Sequence, residues 1–71
     1  MEEITTREKE VLTLIAYEHS SREIANRLYV SYKTVNSHRK NIMSKLQVKN
    51  TAGMIRAAFE REILPLSSAA I

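Results

Sequence analysis

The sequence predicts an all-α domain of four short helices, and three observations carry that prediction. Apolar residues recur at helical spacing through most of the chain. A side chain able to cap a helix stands at the head of each periodic stretch: Thr5, Ser20, Ser31 and Asn50. One glycine and one proline in 71 residues leave little punctuation for a series of β-turns. A chain of this length makes one domain, burying about 60% of the surface its unfolded form exposes, so the core has to be compact.

Thr5 followed by Glu8 forms a capping box that opens helix one, expected from Thr6 to Tyr17, with Val11, Leu12, Leu14, Ile15 and Ala16 on its inner side. Ser20 followed by Glu23 is a second capping box, opening a short helix two from Ser21 to Leu28 that turns Ile24, Ala25 and Leu28 inward. Tyr29 and Val30 make a brief connection, and Ser31 caps helix three, expected from Tyr32 to Leu46. Asn50 caps helix four, expected from Thr51 to Leu64, with Ile55, Ala58, Phe59 and Ile63 along it and Pro65 as its stop. Residues 1–64 then form the domain and 65–71 a flexible tail. Helices two and three are separated by only three residues, too few for an antiparallel hairpin of any length. They must cross steeply, which is the geometry of a helix-turn-helix.

Composition removes several function classes. Without cysteine there is neither a disulfide framework nor a thiolate zinc site, and His19 and His38 have no ligand cluster near them in the sequence. There is no nucleophile–base pair and no glycine-rich phosphate loop, so an enzyme is not expected, and neither is a cofactor, a metal or a small-molecule ligand. Apolar runs are short and the start, Met1-Glu2-Glu3, lacks the plan of a signal peptide, so a cytoplasmic location without membrane association is the expectation.

The net charge of +3 is unevenly spread. Met1 to Ser21 carries two basic residues against five acidic ones, and Asn50 to Ile71 carries two of each. Arg22 to Lys49 holds seven basic residues with Glu23 as the single acid. A central cationic block suits a surface that meets a polyanion. On charge alone, a solvated basic face without a partner explains it equally well.

Helix three sorts into two faces at 100° per residue. Val35, Ile42 and Leu46 fall within about 20° of one direction, with Arg39 at their edge. Nearly opposite lie Lys33, Asn36, Ser37, Lys40 and Ser44, a face without an acid or an aliphatic side chain. An amide can bond adenine bidentately, lysine can donate to guanine acceptors, and short hydroxyls suit base or phosphate. Asn36 and Ser37 are also poor helix formers, out of place on a face selected for stability alone. His38, about 60° from the core stripe, either packs against helix one or two or hydrogen-bonds a phosphate. Tyr17, Tyr29 and Tyr32 are too scattered to stack a single strand, although Tyr32 can reach a duplex backbone from the first turn of helix three.

Four segments together, Ile4-Thr5-Thr6-Arg7-Glu8-Lys9-Glu10-Val11-Leu12, Glu23-Ile24-Ala25-Asn26-Arg27-Leu28, Ser31-Tyr32-Lys33-Thr34-Val35-Asn36-Ser37-His38 and Ile42-Met43-Ser44-Lys45-Leu46, closely resemble the LuxR-type (GerE-type) DNA-binding domain. Such domains form the C-terminal output of response regulators. The likeness runs from Ile4 to Phe59. It implies a four-helix domain whose third helix enters the major groove of double-stranded DNA and whose fourth makes a homodimer contact, here falling on Met54, Ile55 and Ala58. Carried over position by position, base reading falls on Asn36, Ser37 and Lys40, and DNA backbone contact on Ser21, Arg22, Lys33, Thr34, His38 and Lys45. The motif at Arg7 and Glu8 reads as structural, a cap plus an ion pair; direct DNA contact from Thr5 or Thr6 is the other interpretation. Many members carry a receiver or sensing domain ahead of this one, while others stand alone.

The chain departs from the family pattern at three turns where glycine is common, which hold Glu18 or His19, Tyr29 and Gln47. These turns are expected to be slightly remodelled, since a non-glycine residue at positive φ costs around 1 kcal/mol. Gly53 sits early in helix four, where it either admits another helix closely or simply weakens the turn. The expected function is sequence-specific duplex binding in transcriptional regulation, as a dimer. The rivals are a sigma-factor-like helix-turn-helix acting only within RNA polymerase, and a helical protein-interaction module without DNA binding.

Overall fold

Residues 3–64 are described by the computed structural model. Four helices follow one another: α1 (Thr6–Ala16), α2 (Ser21–Leu28), α3 (Tyr32–Leu46) and α4 (Thr51–Glu60), with no strand among the described residues. Each starts at its expected cap. The Thr5 hydroxyl accepts from the Glu8 N–H at 3.1 Å while the Glu8 carboxylate accepts from the Thr5 N–H at 2.9 Å, and Ser20 with Glu23 repeats the box. Ser31 and Asn50 accept from the N–H groups of Thr34 and Gly53. These bonds satisfy amides that a helix start otherwise leaves without an acceptor.

Helix ends are where sequence and structure part. Tyr17 caps α1 instead of ending it, a shift of one residue. Helix α4 stops at Glu60, four residues short of the expected Leu64, and Pro65, the expected stop, lies with the tail outside the described residues. The chain turns because Glu62 adopts φ 58° and the Ala58 carbonyl accepts from both Ile63 (2.8 Å) and Leu64 (3.2 Å). Continued as helix, Leu64 would lie about 6 Å further along the axis; folded back, it is 5% exposed and part of the core.

All four helices end this way. A left-handed residue, Glu18, Tyr29, Gln47 or Glu62, is followed by one whose N–H reaches back to a carbonyl of the last turn. The bonds are His19 to Leu14 (3.0 Å), Val30 to Ala25 (3.1 Å), Val48 to Met43 (3.1 Å) and Ile63 to Ala58 (2.8 Å). This is the closing bond of a Schellman turn, and Val30, Val48 and Ile63 supply its apolar contact by packing onto the core. The expected remodelling at Glu18, Tyr29 and Gln47 does not occur: the left-handed geometry is kept without glycine. The single glycine serves a different purpose. A Cβ on Gly53 would lie 3.3 Å from the Val48 Cβ, so glycine admits the side chain that the Gln47 turn folds back.

The core gathers Val11, Leu12 and Ile15 from α1, Ile24 and Ala25 from α2, Val35, Ile42 and Leu46 from α3, Met54, Ala57 and Ala58 from α4, and Leu64. Helix α3 packs against each of the other three. Its orientation is therefore fixed from three sides.

Tyr29 is 94% exposed, so replacing it removes almost no packing. Tyr29→Gly relieves the left-handed strain at the entropic cost of glycine, a net gain of up to about 0.5 kcal/mol in urea denaturation. A loss of stability would contradict the account of these helix ends.

Candidate nucleic-acid interface

Helix α3 divides as its sequence does. Val35 and Ile42 are fully buried and Leu46 is nearly so. Lys33, Ser37, Lys40 and Ser44 are exposed, and Asn36 is half-buried at the shoulder of the face. Asn36, Ser37 and Lys40 thus share one outward surface, and no acid stands anywhere on α3. Duplex DNA meeting this surface would find amide, hydroxyl and ammonium groups and no carboxylate to repel phosphate.

The residues expected at the DNA backbone are distributed around this surface. Arg22 and Lys33 are exposed, and Ser21 is half-buried at the start of α2. Thr34 is half-buried, its N–H donating to the Ser31 hydroxyl at 3.0 Å and its own hydroxyl 2.9 Å from the same oxygen. His38 is half-buried too. The Arg22 guanidinium lies over the Tyr32 ring, 5.0 Å from its centroid, joining the first turns of α2 and α3.

Lys45 is a correction. Its ammonium sits 2.8 Å from Glu8 Oε1 and 3.1 Å from the Glu3 carbonyl, with only 14% of its side chain exposed. A lysine held this way neutralises a carboxylate inside the protein, a role the expected backbone contact did not include. The helical wheel carried the warning: Lys45 is about 80° from the core stripe, nearer to it than to the outward face. Two further polar ties were not legible in the sequence. Arg39 Nη2 donates to Thr51 Oγ1 at 2.7 Å, and Arg61 Nη2 lies 3.4 Å from the Leu46 carbonyl. Both fasten the end of the domain that carries α4 to α3.

The dimer contact expected on Met54, Ile55 and Ala58 needs correction as well. Met54 and Ala58 are 0% exposed, packed into their own core, and have no surface to offer a second copy. Ile55 alone of the three is half-buried. Sequence period cannot tell a stripe facing the protein's own core from one facing a partner.

Comparison with known proteins now meets this geometry. Residues 2–58 match the family described as bacterial regulatory proteins, luxR family. The chain belongs to the luxR family. Over 61 residues it is 39% identical to the oxygen regulatory proteins NreC of Staphylococcus carnosus and Staphylococcus aureus, covering 86% of this chain and 28% of theirs. This luxR-family domain thus spans little more than a quarter of those relatives' length. The response regulator ChrA of a heme-sensing two-component system superposes with a TM-score of 0.86 at 33% identity, over 90% of this chain and 32% of that one. The transcription factor GerE superposes with a TM-score of 0.83 at 32% identity, over 87% of this chain and 92% of GerE. The four helices are those of a luxR-family DNA-binding regulator domain. Among the described residues no helix is long and apolar enough to cross a membrane.

The Glu8–Lys45 pair gives the family motif at Arg7 and Glu8 a physical meaning. Glu8 closes the α1 cap and anchors Lys45 with the same oxygen, while Arg7 pairs at the surface with Glu10 at 3.4 Å. Burial pushes the Glu8 carboxyl up, but the Lys45 ammonium and the Thr5 N–H and hydroxyl outweigh it and hold it below its ordinary 4.5. Glu23, fully exposed, is lowered by its bonds from Ser20. A depressed carboxylate lends stability that is complete above its unfolded value and is lost as pH falls through the lower folded one. Unfolding free energy should therefore decline below about pH 4.5, and Glu8→Gln should flatten that decline; an unchanged acid limb would contradict the assignment. Lys45→Met, leaving Glu8 without its cation, should cost about 2–3 kcal/mol in urea denaturation at neutral pH while the salt dependence of DNA binding stays that of the wild type.

Proposed function

We propose that the domain binds duplex DNA in a sequence-specific manner, with α3 in the major groove, and regulates transcription as a homodimer in the cytoplasm. Asn36, Ser37 and Lys40 read base edges, while Arg22, Lys33, Ser21, Thr34 and His38 meet the phosphates. The observation that supports this most directly is the outward face of α3, which is cationic, acid-free and set rigidly by a core stripe on the opposite side. Phosphate contacts supply most of the affinity and base contacts the preference.

Dimerisation places two copies of α3 on half-sites about one helical turn apart. The α4 surface left for the contact is centred on Ile55, with Ala52 and Arg56 exposed beside it. No catalytic role is proposed for any residue.

Random-site selection at low salt should yield a paired consensus. On the best site Asn36→Ala should cost about 1–3 kcal/mol and relax preference at one base pair, with little loss on random DNA. Equal loss on both sequences would remove Asn36 as a reader. Lys33→Ala should weaken binding on all sequences alike and lower the slope of log K against log salt by about 0.9. Absence of binding by the isolated domain together with co-purification with RNA polymerase would favour the sigma-like alternative.

A further inference from the structure

The cation–π contact between Arg22 and Tyr32 has no evident purpose in the fold. Arg22 stands in the first turn of α2, where the helix dipole disfavours a positive charge. Arg22 is exposed, and Tyr32 keeps 48% of its surface accessible, so neither residue fills the core. An arginine at that point would sample many rotamers if left alone. Instead its guanidinium lies over the Tyr32 ring, 5.0 Å from the centroid. A guanidinium lying over an aromatic face still has N–H groups to offer an oxyanion.

The position of Tyr32 makes this arrangement useful. Tyr32, Asn36 and Lys40 are spaced four residues apart and form one row along α3. Arg22 therefore borders the N-terminal end of the proposed reading row, carried there by a different helix. A phosphate held at that corner would fix both how far α3 enters the groove and how it is rotated. Resting on the function proposed above, we propose that Tyr32 is a positioning residue that holds Arg22 as a preformed clamp for one DNA backbone phosphate beside the reading row. The ring acts through its face, and Arg22 makes the phosphate contact.

A double-mutant cycle on the whole chain, read by gel shift on the selected site and on random duplex across a salt series, tests this. Tyr32→Leu should weaken binding about three- to tenfold on both sequences, the expected loss when a long side chain must be ordered only on binding. Tyr32→Phe, which keeps the ring face, should stay within about twofold of wild type. Arg22→Ala should lower the salt slope by about 0.9, and Tyr32→Leu should add nothing further in that background. In the free protein the Arg22 δ-methylene protons should show an upfield ring-current shift in wild type and Tyr32→Phe that Tyr32→Leu abolishes, with thermal melts confirming that all three fold. Additive losses from Tyr32→Leu and Arg22→Ala would overturn the proposal, as would a Tyr32→Phe variant as weak as Tyr32→Leu. Either result leaves DNA binding itself standing. A wild-type domain that binds no DNA would remove the underlying function and this clamp with it.

Discussion

The burial of one stripe of α3 is the constraint on which the rest of the molecule depends. Val35, Ile42 and Leu46 are taken up by contacts from α1, α2 and α4, so among the described residues no helix covers the opposite face of the same helix. A helix packed from three sides cannot roll, and its outward side chains inherit that rigidity. Affinity for a groove depends on such order, because side chains already placed lose less entropy when they bind. Core and proposed interface are thus two sides of one element. Changes to the buried stripe would be felt at the outward face even though none of its residues could touch a ligand.

The polar ties serve the same end. Lys45 is drawn to the α1 cap by Glu8 and to the N-terminal segment through the Glu3 carbonyl, while Arg39 reaches Thr51 at the head of α4. Two cations, Lys45 and Arg39, thus clamp the C-terminal half of α3 to its neighbours. The positive block in the middle of the chain is therefore not a single surface. Part of it holds the helices together, and part, Arg22, Lys33 and Lys40, remains turned outward.

Much of the fold was legible in the sequence, because the signals were local. All four N-caps, and both starts and both ends of the two helices of the central helix-turn-helix, follow from hydrogen-bonding side chains and from spacing. The outward face of α3 followed from periodicity, which reports the buried stripe reliably when one face is wholly apolar, and the family resemblance singled out Asn36, Ser37 and Lys40 on it. What escaped was long-range. Glu62 carries no turn signature, and α4 ends there because Leu64 gains burial by folding back, a tertiary cause. The helical wheel put Lys45 near the core stripe, but its partner Glu8 lies 37 residues away and could not be named from spacing. Met54 and Ala58 escaped because their partners are in the same chain, where a partner copy had been expected.

The most direct test of the central claim is amide chemical-shift mapping of the domain titrated with a duplex carrying its selected site. Shifts concentrated on α3 at Lys33, Asn36, Ser37 and Lys40, with Arg22 at the start of α2 and with Lys45 and Met54 nearly silent, are the result that an outward-facing α3 requires. Shifts centred on α4 or on the outer side of α1, with the α3 row unmoved, would show that the duplex meets a different face of the domain.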